Sequence, residues 1–172
     1  RLAGQDNKAR ACFEQSAALQ AADGTAVYYS ILGDQLTSSN WIDQALDSYQ
    51  NAAAIEPTPA RYTRLARALA RLGDSAGAVQ MQKKAIEMDR WLDTAHLRLG
   101  NMYQWQGQLD AAIDEYEKAW RLNPSSDATF LALGQAIQEK SGAAAAIDRM
   151  KQLATLNRVL SGPHRALAPL YL

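Results

Sequence analysis

A period of 33 to 34 residues limits this chain more than any single residue does. Leu99-Gly100-x-x-Tyr103 aligns with Leu133-Gly134-x-x-Ile137, and Ala112-Ile113-Asp114 with Ala146-Ile147-Asp148, both at a shift of 34. Leu65, Gly73, Ala78 and Ala85 precede Leu99, Gly107, Ala112 and Ala119 by the same 34. One unit earlier the shift is 33: Tyr29, Leu32, Ala45, Ala52 and Pro57 map onto Tyr62, Leu65, Ala78, Ala85 and Arg90. A short unit cannot bury its apolar face alone, so repetition at this interval means stacked units sharing one continuous core. Four consecutive units fall at 26–58, 59–92, 93–126 and 127–160.

Each unit reads as two helices. In the third, Leu97, Leu99, Met102 and Tyr103 carry a helical period as far as Gly107. A second amphipathic run through Leu109, Ala112, Ile113, Tyr116, Ala119, Trp120 and Leu122 ends before Pro124. Gly73 and Gly107 suit the left-handed residue just past a helix end. Thr58-Pro59 and Ser126-Asp127 supply caps where a unit opens, with Pro59 at a first helical position. No segment alternates with period two over a strand's length. The expected class is all-α. Gly100 and Gly134, with Ala66 as the weaker equivalent, mark where a first helix approaches its second closely. Ala45, Ala78, Ala112 and Ala146 mark the same on the second helix.

This pattern resembles the tetratricopeptide repeat family, with its 34-residue period of W-x2-L-G-x2-Y, then A-x3-F, then P. The third unit carries Leu99, Gly100, Tyr103, Ala112, Tyr116 and Pro124; the first carries Leu32, Gly33, Ala45, Tyr49 and Pro57. The departures are local. The tryptophan position holds Tyr29, Tyr62, His96 and Phe130, and the proline position holds Arg90 and Arg158 in two units. The resemblance implies a right-handed superhelical solenoid of antiparallel helix-turn-helix repeats, first helices lining a concave groove. Ala9 and Phe13 match a second helix, so residues 1–25 read as a partial N-terminal repeat. His164, Leu167 and Tyr171 match the start of another, so residues 161–172 read as a partial repeat or cap, with Pro163 and Pro169 limiting any helix there. A start at Arg1 on half a repeat points to a piece of a longer protein.

Residues that could carry chemistry are few. The two histidines lack ligand spacing: His96 stands at a packing position and His164 in a Pro-flanked segment. Cys12, beside Phe13 on an expected helix, reads as a buried structural thiol. One cysteine makes no internal disulfide and no Cys-rich zinc site. Gly-rich phosphate loops and H-E-x-x-H, G-x-S-x-G and C-x-x-C motifs are missing. No cofactor or metal is expected, and no enzyme. Lys plus Arg equals Asp plus Glu at 18 each, so the basic excess that grips nucleic-acid phosphates is missing. No apolar run nears the roughly 18 residues of a membrane span, so this segment is not expected to insert in a membrane.

Charge by unit is more telling. Residues 26–58 hold four acidic and no basic residues, whereas 59–92 hold seven basic against three acidic. Two readings stand: adhesion between neighbouring units, or a binding face. Arg64, Arg67 and Arg71 share one side of a first helix at spacings of three and four. By repeat position Asp34, Arg67, Asn101 and Gln135 are equivalent, as are Arg71, Trp105 and Glu139. In the resembled family these positions face the groove, and Trp105 stands where a polar residue is usual. The candidate groove residues are therefore Arg64, Arg67, Arg71, Asn101, Trp105 and Gln135. Trp and Arg are common binding anchors, and an acidic peptide or protein segment is the natural complement. The Lys/Asn clamp with which some family members hold chaperone tails is not reproduced. The expected function is a protein-interaction scaffold, with self-association through incomplete end repeats, or service to a larger protein, as the alternative.

Overall fold

The computed structural model describes residues 2–20 and 24–156. Among them the chain forms nine helices and no strand. These are α1 (Leu2–Gln20), α2 (Ala26–Ser38), α3 (Ile42–Ile55), α4 (Pro59–Arg71), α5 (Ser75–Met88), α6 (Asp93–Trp105), α7 (Leu109–Leu122), α8 (Asp127–Ser141) and α9 (Ala143–Leu156). The segment 161–172, with His164, Leu167 and Tyr171, lies outside the described residues, as does Arg158.

Local chemistry sets the helix ends. Thr25, Thr58 and Ser126 accept from the backbone N–H of Tyr28, Arg61 and Thr129 at 3.1, 3.4 and 3.2 Å, and Pro59 opens α4. The hairpin turns need a left-handed residue, which Gly73 (φ 86°) and Gly107 (φ 73°) supply; in the first turn Asn40 does so at φ 64°. The following N–H then reaches back five residues: Trp41 to Leu36 at 2.9 Å, Asp74 to Leu69 at 3.0 Å and Gln108 to Tyr103 at 2.9 Å. One turn chemistry is thus written three times.

Two compact units share the helices, Arg1–Met88 with α1 to α5 and Asp89–Leu172 with α6 to α9. Within the first, α2 packs on α3 and α4 on α5, while α1 covers α2 and α3 lies against α4. Its core holds Ala17, Tyr28, Leu32, Leu36, Ile42, Ala45, Tyr49 and Leu65. Within the second, α6 packs on α7 and α8 on α9, with α7 against α8. Tyr116, Trp120, Phe130, Leu133, Ala146 and Met150 fill that core. Small residues on the second helices (Ala45, Ala78, Ala112, Ala146) are fully buried, as close approach demands. Leu99 is also buried, and Leu99→Ala is expected to cost roughly 2–5 kcal/mol through the cavity it leaves. Urea denaturation of the two chains measures this directly.

One residue departs from expectation. Cys12 is exposed, not buried. On α1 the stripe that meets α2 runs through Phe13 and Ala17. The Phe13 ring packs edge-on to Trp41 at 5.8 Å and Ala17 is fully buried. Cys12 lies about 100° around the helix from Phe13 and so falls off that stripe.

Candidate functional site

In two of the hairpins, α2–α3 and α6–α7, a glycine lies under a tyrosine ring. A Cβ on Gly33 would stand 2.5 Å from Tyr49 Cε1, and one on Gly100 2.5 Å from Tyr116 Cδ1 and Cε1. Only glycine admits the ring there. Each ring then carries its hydroxyl through to the first helix. The Tyr49 hydroxyl donates to Asp34 Oδ1 at 2.7 Å and lies 3.1 Å from the Thr37 hydroxyl. The Tyr116 hydroxyl lies 2.7 Å from Asn101 Oδ1 and 2.8 Å from Gln104 Oε1. Asp34 and Asn101 are equivalent by repeat, and so are Thr37 and Gln104. Burial pushes both phenols up to about 12, aided by the Asp34 carboxylate at Tyr49 and the Glu139 charge at Tyr116, and opposed at Tyr49 by the Thr37 hydrogen bond. The face residue is therefore tied down from behind wherever the tyrosine is present.

In the other two repeats it is not. The tyrosine position holds Gln82 and Met150, both fully buried, and the matching face residues are Arg67 and Gln135. Both are exposed, and neither side chain makes a hydrogen bond or ion pair among the described residues. Tied and untied face positions alternate along the sequence.

In the first unit the three arginines play different parts. Arg64 Nε donates to both Asp34 carboxylate oxygens at 3.2 and 3.3 Å. Arg71 crosses to the end of α2, donating to the Thr37 carbonyl at 3.2 Å and Asn40 Oδ1 at 2.7 Å. Arg61, a residue not on the candidate list, is nearly buried and bonds the Glu56 carbonyl at 2.9 Å and the Glu56 carboxylate at 3.0 Å. Adhesion between neighbouring repeats thus absorbs much of the charge contrast. Arg67 alone stays unclaimed, between two fixed guanidiniums. Arg64, Arg67 and Arg71, with Thr37, Tyr49 and Ala68, line a depression of only about 10 Å3, so a partner must lie on this face, not enter it.

In the second unit, Asn101 and Trp105 share one stripe of α6, four residues apart. Asn101 is half-buried over Tyr116, whereas Trp105 stands 80% exposed at the helix end. Gln104 Nε2 donates to Glu139 of α8 at 2.9 Å, joining the two first helices across the face, and Gln135 lies one turn before Glu139 on α8. His96 is a packed residue with both ring nitrogens engaged: Nδ1 meets Glu115 Oε2 at 2.7 Å and Nε2 meets the Arg90 carbonyl at 3.2 Å. Among the described residues no group of three His, Cys, Asp or Glu could hold a metal ion, and no helix is long and apolar enough to cross a membrane.

The sequence pointed to the face but not to its supports. Tyr49 and Tyr116 read as core aromatics. The one available signal was tyrosine in place of phenylalanine where the first helix offers polar residues three apart.

A family model described as tetratricopeptide repeat matches residues 60–90, and one described as TPR repeat matches residues 100–141. No curated protein matches the chain significantly by sequence. Solved structures do match. The chain is 20% identical to MamA, with 92% of each chain covered and a TM-score of 0.72. It is 17% identical to YrrB, described as a TPR protein with an unusual peptide-binding site, covering 96% of this chain and 86% of that one at a TM-score of 0.65. The first TPR of Spaghetti (RPAP3), solved with the HSP90 peptide SRMEEVD, is 24% identical over 67% of this chain and 93% of its own, at a TM-score of 0.64. Helical pairs at a 33- to 34-residue period, two matched repeat stretches and this all-α helical-repeat solenoid fold place the chain in the tetratricopeptide repeat family.

Proposed function

We propose that this chain is a non-catalytic protein-interaction scaffold of four full repeats (26–58, 59–92, 93–126 and 127–160), whose first-helix faces hold a peptide or protein segment. In the first unit Arg64, Arg67 and Arg71 make the contact and favour an acidic segment. In the second, Asn101, Trp105 and Gln135 do so. The observation that carries this reading is Arg67: an exposed guanidinium with no hydrogen bond or ion pair among the described residues, between Arg64 and Arg71, which are spent on α2. Its five donors suit a bidentate carboxylate. The anchored residues beside it need no ordering on binding, which leaves more of the contact energy as affinity. The structural neighbours, one solved with a bound peptide and one described by its peptide-binding site, support a peptide as the kind of ligand.

Arg67→Glu is the cleanest test, because it removes no hydrogen bond or ion pair among the described residues. It is expected to weaken capture of an identified partner about tenfold or more with an unchanged far-ultraviolet spectrum. Binding by calorimetry that matches the parent chain removes Arg67 from the site. Arg71→Glu is a poorer probe, since it also cuts the tie between α4 and the end of α2.

A further inference from the structure

The two departures from the family pattern nearest the third repeat meet in space. His96 replaces the tryptophan and Arg90 the proline, and the His96 ring donates to the Arg90 carbonyl. They line a cleft of about 360 Å3 at the start of α6 and the end of α7, together with Lys118, Arg121 and Leu122. That volume lies within the range of ligand sites. At the same corner the second repeat has Pro57, Tyr62, Lys84, Glu87 and Met88, with Lys84 held 5.8 Å over the Tyr62 ring. The fourth has Pro124, Phe130, Gln152 and Thr155. The concentration of cations belongs to the third repeat.

The carboxylates nearby are turned to internal work. Glu115 takes His96 and Lys118, Asp93 takes the Asn123 amide at 2.8 Å, and Asp89 takes the Trp91 backbone N–H at 3.0 Å. Glu117 is shared by Arg121 at 3.0 Å and Arg149 at 2.5 Å, leaving that group one positive charge in excess. The Arg90 guanidinium has no partner among the described residues. Beside it in sequence, Trp91 is 74% exposed.

We infer that this cleft is a second recognition site, separate from the first-helix faces, for an acidic peptide segment of a partner that carries an apolar residue between its carboxylates. Lys118 is held by Glu115, so the cations left for a ligand are Arg121 on α7, which shares one carboxylate with Arg149, and Arg90 ahead of α6. That placement suits several carboxylates of an extended chain better than one compact phosphate. Leu122 and Trp91 supply the apolar contact, and exposed Trp beside Arg is the usual composition of an interface anchor.

The test uses the full chain and a fluorescein-labelled peptide in which Glu and Asp flank a single Leu, followed by anisotropy at about 50 mM salt, where Coulomb attraction is only partly screened. Arg90→Glu and Arg121→Glu are each expected to weaken binding about tenfold, and the same peptide with Gln and Asn is not expected to bind. The titrations are repeated in the Arg67→Glu background, where the arginine face of the first unit no longer draws an acidic peptide. The losses caused by Arg90→Glu and Arg121→Glu are expected to persist there; losses that vanish in that background overturn the inference. The Trp91 indole N–H signal should shift on titration while that of Trp105 stays. Equal affinity for the Gln/Asn peptide, indifference to both cleft variants, or displacement of the peptide by inorganic phosphate at comparable concentration overturns the inference.

Discussion

Gly100→Val is expected to be among the most damaging single substitutions in this protein, out of proportion to the few atoms it adds. A Cβ at Gly100 meets Tyr116 ring carbons at 2.5 Å, well inside contact distance. The ring cannot retreat, because Tyr116 is fully buried and its hydroxyl is fixed at Asn101 and Gln104. Overpacking of this kind costs roughly 1–3 kcal/mol, and more where nothing yields. Even Gly100→Ala should lose about 2 kcal/mol, despite the roughly 1 kcal/mol that alanine gains in helix propensity. Gly33→Ala should behave alike, since its Cβ meets Tyr49 Cε1 at 2.5 Å. Urea midpoints measure both. Pairing Gly100→Ala with Tyr116→Leu should recover part of the loss, because the clash and the ring are then removed together. Purely additive losses would show that the ring is not what excludes the side chain.

Alkali supplies the second large effect. Tyr49 and Tyr116 have folded values of about 12 against an unfolded 10.0, raised chiefly by burial. Below pH 10 both states hold these protons and the stability is complete. Between pH 10 and 12 the unfolded chain releases them first, so folding stability falls as pH rises through that window. At about 1.4 kcal/mol per unit, each tyrosine accounts for about 2 kcal/mol by pH 12, where its folded form is itself half ionised. Chemical denaturation followed from pH 9 to 12 should show this decline, and Tyr49→Phe with Tyr116→Phe should flatten it. A slope unchanged by the double substitution would mean that other groups govern alkaline unfolding.

Much of the fold was legible because the period and the small residues report one physical need, close helix approach at regular intervals. Gly73 and Gly107 fell in left-handed turns and Thr58 and Ser126 on caps because those tasks are local. The face was harder. Whether Arg64 or Arg71 is available depends on what α2 presents across the joint, and Asp34, the Thr37 carbonyl and Asn40 lie 30 or more residues away in sequence. Cys12 misled for a related reason. Its neighbour Phe13 belongs to the packing stripe, but which flank of α1 is covered depends on α2, not on α1 itself.

The account rests on first-helix residues meeting the partner while second-helix tyrosines hold some of them ready. The arginine side-chain N–H resonances of the full chain, recorded as an identified partner segment is titrated in, probe this most directly. The Arg67 Nε–H signal should move furthest, with Arg64 and Arg71 shifting less because they keep their bonds to α2. An Arg67 signal that stays in place at saturation, while residues of α3 or α5 move, would contradict it.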